Sequence, residues 1–221
     1  MRSRARRLLW SAVCGSAVAV AVAAIGFLVR EKFDPLIRVD ERVIGSATDI
    51  TRRHDLRSVL VAWQSLSRPI FLYAAVTAVC LWVWLGRRLV TRAWWAFVTM
   101  MVCWGLQSLV KLVVARARPV VENPIEHASG YSFPSGHAAN AACAMATLAV
   151  LLWPLVGRAG RLALAVVGSL VVVVTCLDRV FLGVHFPSDV TAGVLFGAGL
   201  VAASYLGYLG WTPPTAPEKA M

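Results

Sequence analysis

Six long apolar runs alternate with polar, arginine-flanked segments along the chain: about Leu8–Val29, Pro69–Gly86, Ala93–Val113, Ala138–Leu155, Leu162–Leu177 and Val190–Leu209. They approach the roughly 20 apolar residues that cross the hydrocarbon of a bilayer. In lipid, every backbone N–H and C=O must be paired within the segment or around a closed barrel, and runs of this length satisfy them as helices. The pattern predicts an all-α fold, a polytopic membrane bundle of six transmembrane helices. No solenoid-type repeat or separate soluble domain is visible, so residues 1–211 read as one six-span domain. The ending "TPPTAPEKAM", residues 212–221, reads as a disordered tail.

Two segments need separate treatment. The first run follows "MRSRARR", a basic start that a secretory signal would share. Its apolar stretch exceeds the roughly 7–15 residues of a signal core, so an uncleaved anchor is expected. Residues 30–68 mix charges with Leu36, Ile37, Val43, Val59, Leu60 and Trp63. One or two amphipathic helices at the membrane surface suit that mixture. Such a segment can be a lid or lipid entry gate, or a solvated connector, which is the simpler reading.

Composition supports the membrane reading. Hydrophobic residues make up 59% of the 221 and charged residues 15%, with mean hydropathy +0.70; a soluble domain carries about half and about a quarter. The net charge of +11 raises nucleic acid as a partner. That reading needs a basic stripe on a soluble module, whereas these arginines flank apolar runs. Membrane lipids are the expected partner, and nucleic acid is not. The five cysteines (14, 80, 103, 143 and 176) all lie within apolar runs without a C-x-x-C pair, and read as small buried hydrophobes.

Short-loop charges orient the bundle. The basic N-terminus, "RRLVTR" (Arg87–Arg92) and "GRAGR" (Gly157–Arg161) fall on one side, expected to be cytoplasmic. Residues 30–68, 114–137 and 178–189 then face outward, in the cell membrane. The first of these carries eight basic and six acidic residues, which blunts the charge rule.

Polar groups are costly within a membrane, so where they gather is informative. Three clusters share the outward side: "KLVVARARP" with Lys111 and Arg118, "YSFPSGHAAN" with Ser135, Gly136 and His137, and "DRVFLGVHFPSD" with Arg179, His185 and Asp189. Each has a plain structural alternative. Lys111 can snorkel from a span end, Ser135 can be a simple helix cap, and Pro187 with Asp189 can merely open a helix. Their convergence on one face argues for chemistry. Lys111, Arg118 and Arg179 can neutralise phosphoryl oxygens. The backbone of Ser135–His137 starts a helix, whose free N–H groups favour anions, and Gly136 lets that backbone approach closely. His185 can act as a nucleophile with Asp189 holding its other ring N–H, and His137 can protonate a leaving oxygen.

The order Lys-x6-Arg-Pro, Pro-Ser-Gly-His, Arg-x5-His-x3-Asp, at Lys111, Arg118, Pro119, Pro134–His137, Arg179, His185 and Asp189, resembles the type 2 phosphatidic acid phosphatase superfamily. That family includes lipid phosphate phosphatases, undecaprenyl-diphosphate phosphatases and the soluble vanadium haloperoxidases. The resemblance implies a metal-independent phosphatase, without cofactor, acting on a lipid phosphate or diphosphate at the outer membrane face through a phosphohistidine. A polyprenyl diphosphate, phosphatidylglycerol phosphate or phosphatidic acid would suit such a site. One position departs from the pattern: the family has Ser before the third-motif Arg, and this chain has Asp178. An acid there can weaken Arg179's grip on phosphate or hold it in place. It is the one feature favouring the alternative, a lipid-phosphate binding or transport protein without turnover. Haloperoxidase activity is disfavoured, because those relatives are soluble.

Overall fold

The computed structural model describes residues 4–121 and 125–208, and among these the regular structure is helical throughout. Helix α1 spans Arg4–Arg30, α2 Asp34–Arg53, α3 Arg57–Leu66, α4 Pro69–Arg87, α5 Val90–Val114, α6 Gly136–Leu152, α7 Arg158–Phe181 and α8 Pro187–Tyr208. A single 3₁₀ turn, Trp153–Leu155, extends α6. Six of the helices (α1, α4, α5, α6, α7 and α8) are long and apolar enough to cross a membrane, and they correspond to the six predicted runs. The chain is a multi-pass membrane protein. The predicted tail at 212–221 lies outside the described residues.

Prolines mark three of the starts, Pro35 being the second residue of α2. Pro69 and Pro187 open α4 and α8, where a missing N–H costs nothing. Large side chains such as Val20, Phe27, Trp82, Val98, Val167 and Leu170 stay exposed on the bundle's outside, the disposition expected against lipid tails.

Helix α6 is the centre of the bundle, packed on α4, α5, α7 and α8, and the most buried of the spans. Its alanines at 138, 139, 141, 142 and 144 keep it thin, and all five are buried. The facing side of α8 carries Gly193 and Gly197. A Cβ at Gly193 would lie 2.7 Å from the Ser135 carbonyl oxygen, and one at Gly197 would lie 2.1 Å from that of Ala139. Small residues four apart let two membrane helices meet backbone to backbone. This approach brings the first turns of α6 and α8 side by side. Asn140 fastens α6 further, donating to the Gly136 carbonyl (2.7 Å) and accepting from the Tyr73 hydroxyl (2.6 Å).

The segment 30–68 forms two helices and is not a solvated connector. Helix α2 packs on α7 and α8 and buries Asp40, Ile44, Ala47, Thr48 and Thr51. Thr51 donates to the Phe181 carbonyl at the end of α7 (2.9 Å), and Trp63 of α3 donates to Thr175 (3.3 Å). An amphipathic pattern looks the same whether its inner face meets lipid or protein, so the pattern alone does not show that α2 packs on α7 and α8. The five cysteines are free thiols; Cys80, Cys103 and Cys143 are buried, and Cys14 and Cys176 half-buried.

Candidate active site

All eight predicted site residues come from one end of the bundle, where α5 and α7 finish and α6 and α8 begin. Lys111 occupies the last turn of α5 and donates to the Tyr131 carbonyl (2.8 Å). A Cβ on Gly136 would lie 3.7 Å from Lys111 Cε and 3.3 Å from Gln107 Oε1, so the glycine's bareness allows the first two clusters to touch. Ser135 caps α6, its hydroxyl accepting from Ala138 N at 3.5 Å, a long contact. Its own N–H donates to the Asp189 carbonyl (3.0 Å), tying the second cluster to the third.

His185 sits in the tight turn between α7 and α8. Gly183, at φ +74°, makes that turn, and a Cβ there would also press Thr48 of α2 at 2.9 Å. Buried His185 presents its two ring nitrogens to different partners. Nε2 lies 3.2 Å from Arg118 Nη1. A guanidinium can only donate, so Nε2 carries the lone pair and the ring proton belongs on Nδ1. That nitrogen faces Asp189 Oδ2 at 3.5 Å, close enough for attraction but without hydrogen-bond geometry. Burial lowers the imidazole to about 4, with Asp189 opposing the shift, so the ring is neutral at neutral pH.

Arg118 is held firmly. Besides His185 it donates to the carbonyls of Val184 (2.8 Å), Gly130 (3.1 Å) and Ser129 (3.0 Å from Nη2). Burial lowers its pKa, Asp189 opposing, yet a guanidinium stays charged. Arg179 gives Nε (2.8 Å) and Nη2 to one oxygen of Asp178, so the departure from the family pattern is a buried ion pair. Neither bond uses Nη1, which leaves that corner of the fork for an anion. His137 follows in the first turn of α6, its Nε2 buried without a partner and within electrostatic reach of Arg179, His185, Arg118 and Lys111.

Two residues here escaped the sequence reading. Arg116 donates from Nη1 to Asp189 Oδ1 (2.7 Å) and Ser188 Oγ (2.8 Å), and from Nη2 to Asp40 Oδ2 (2.8 Å), with its plane over the Phe186 ring at 4.1 Å. Asp40 also accepts from the Ser188 N–H (3.0 Å) and hydroxyl. Arg116 could have been noticed as the second arginine of "ARARP". Asp40 had no local signal, being one acid among six in a mixed segment. Asp189 does open a helix, as the plain alternative held: Oδ2 accepts from the Phe186 N–H (2.9 Å) at the start of α8. The two roles are compatible, since a cap bond holds the carboxylate still. Among the described residues, no three His, Cys, Asp or Glu side chains converge as a metal ligand set.

Residues 92–212 match the family model of the PAP2 superfamily. The chain is similar to phosphatidylglycerophosphatase B of Bacillus subtilis (strain 168), 29% identical over 164 residues that cover 71% of this chain and 77% of that protein. It is also similar to decaprenylphosphoryl-5-phosphoribose phosphatase of Mycobacterium tuberculosis (strain ATCC 25618 / H37Rv). There the identity is 40% over 97 residues, 42% of this chain and 49% of that protein. In fold it resembles the crystal structure of a transmembrane PAP2-type phosphatidylglycerolphosphate phosphatase from Bacillus subtilis. The TM-score is 0.76 at 22% identity, covering 89% of this chain and 98% of that one.

Proposed function

The chain belongs to the PAP2 superfamily, and from that premise we propose that it is a metal-independent lipid phosphatase working through a phosphohistidine. The observation that carries the reading is the placement of His185: buried, with Nε2 3.2 Å from Arg118 Nη1 and Nδ1 3.5 Å from Asp189 Oδ2. A phosphoryl group drawn in by Lys111, Arg118, Arg179 and the first turn of α6 meets the Nε2 lone pair. Arg118 then turns from the ring to the phosphoryl oxygens, Nε2 forms the P–N bond, and the P–O bond to the lipid breaks. His137, protonated once the anionic phosphoryl group lies beside it, gives that proton to the departing oxygen. Water next attacks the phosphohistidine, His137 takes the water's proton, and phosphate leaves with His185 restored. Asp189 offsets the positive charge that the ring carries in between.

The similarity to a protein named phosphatidylglycerophosphatase B favours a phosphatidylglycerol phosphate substrate. Phosphatidic acid and polyprenyl diphosphates fit the same chemistry. The short-loop charges favour a site on the extracytoplasmic face of the plasma membrane. A second reading, lipid-phosphate binding without turnover, draws support from the Asp178–Arg179 pair, which occupies part of the cation cradle.

Phosphate release from the three lipid classes in detergent, with and without EDTA, tests both readings. Release from at least one class, indifferent to EDTA, is expected. Strong loss with EDTA that magnesium restores would sink the metal-free route, and lipid binding without release would select the second reading.

A further inference from the structure

The third-cluster carboxylate is not held by its own helix alone. Arg116 stands between two buried acids, Asp189 of α8 and Asp40 of α2, at 2.7 and 2.8 Å, with side chains 8%, 0% and 1% exposed. Ser188, the residue before Asp189, is clasped by Asp40 through both its N–H and its hydroxyl. Buried ion networks are commonly no more stabilising than apolar packing of the same volume, so stability alone does not account for one at this position. Arginine is the side chain whose planar fork can serve two carboxylates at once, and Phe186, next to His185, supports the face of that fork.

We propose that Asp40 and Arg116 are positioning residues for the reaction: Asp40 of α2 anchors Arg116, which fixes the carboxylate of Asp189 and sets how much of its charge reaches His185. This rests on His185 being the nucleophile. It makes α2, outside the six spans, a working part of the active site. Arg116 and Asp40 direct their bonds to Asp189, Ser188 and each other, so both are expected to act on turnover and on the ring's protonation, not on substrate affinity.

The signs follow from the charges around the ring: Lys111 of α5, Arg116 and Arg118 of the link, His137 of α6, Arg179 (with Asp178) of α7, and Asp40 of α2. In the parent, burial lowers the His185 imidazole to about 4, and kcat/KM is expected to fall below that pH because a protonated Nε2 has no lone pair. Asp40→Asn removes a negative charge and leaves Arg116 wholly to Asp189, so the ring protonates less readily and the acid limb moves down. Arg116→Met removes a positive charge and exposes the ring to the full carboxylate, so the limb moves up. Shifts of about one pH unit are expected for a single charge at this range. The double variant returns the midpoint towards the parent's but not the rate, because the orientation is lost.

The experiment is kcat, KM and the pH dependence of kcat/KM for parent and variants in detergent, on whichever lipid phosphate the parent hydrolyses. Each single variant should lose kcat by up to about 10²-fold, the cost of a misplacement near 1 Å, with KM little changed. Asp40→Glu should recover part of Asp40→Asn's loss. The substrate's own titration is common to all variants and cancels in the comparison. Should a variant be inactive, ¹³C NMR of labelled histidine reads the same midpoint directly, since the chain has four histidines and His185→Gln assigns the signal. Midpoints that do not move, or that move the same way in both single variants, overturn the proposal. A parent that releases no phosphate from any lipid fails at the earlier reading instead.

Discussion

His137 and His185 are the same residue type at the same end of the bundle, and their surroundings set them apart. His185 has a charged group beside each ring nitrogen, Arg118 3.2 Å from Nε2 and the Asp189 carboxylate 3.5 Å from Nδ1, though only the first contact has hydrogen-bond geometry; the buried Nε2 of His137 has no hydrogen-bond partner. A nucleophile needs a fixed tautomer; a proton donor needs a nitrogen free to meet the leaving oxygen. The expected consequence is a difference in leaving-group dependence. His185→Ala should be inactive on every phosphate ester, because no transfer occurs without that attack. His137→Ala should lose roughly 10²–10⁴-fold on an alkyl phosphate, whose alkoxide leaves poorly. Its loss should shrink on a diphosphate and be smallest on nitrophenyl phosphate, whose stable anion needs no proton, so that only the water step still draws on His137. Turnover of both variants across those three substrates checks the assignment, and a flat loss for His137→Ala would remove its acid role.

At the level of elements, the site depends on how closely α6 and α8 approach. Gly197 faces the Ala139 carbonyl so tightly that a methyl group would sit 2.1 Å from it, and a carbonyl oxygen cannot move aside without moving its helix. Gly197→Ala is expected to cost about 1–3 kcal/mol, the usual range for overpacking. It should also lower activity, because the separation propagates to Ser135, whose N–H reaches the Asp189 carbonyl at 3.0 Å. Gly105→Ala in α5 is the control: nothing lies within 4 Å of its Cβ, and it should be neutral. Thermal unfolding of the two variants in detergent, followed by size-exclusion chromatography, compares them. Equal melting temperatures would show that the α6–α8 contact relaxes at no cost.

For the whole molecule, the question is which side of the membrane the site faces. The link between α5 and α6, the α7–α8 turn and α2 meet at one end, and the α6–α7 connection with "GRAGR" lies at the other. From the arginine-rich short loops, that second end is expected in the cytoplasm. With the five native cysteines removed, Ala128→Cys should react with an impermeant thiol reagent added to intact cells, and Ala159→Cys should not; both positions are exposed. The reverse pattern would restrict the enzyme to inner-leaflet lipids.

The sequence by itself determined the six spans, because crossing a bilayer demands a length of apolar residues that leaves few alternatives. It also supplied the candidates for the site: Lys111, Arg118, Ser135, His137, Arg179, His185 and Asp189 as polar groups gathered on one side, where a membrane makes them costly, and Gly136 as the bare backbone among them. Tertiary structure alone decided which groups Arg116 and Asp40 meet. Arg116 meets its two acids across 73 and 76 positions, and a carboxylate in an amphipathic helix reads identically whether it faces water or a guanidinium. The same holds for Asp178: its neighbour in sequence was known, but only the folded end of α7 turned that adjacency into a buried pair with Arg179. Patterns along a chain report the solvent each segment requires; which charge meets which is set by helices packed at a distance, and that becomes legible only when they are assembled.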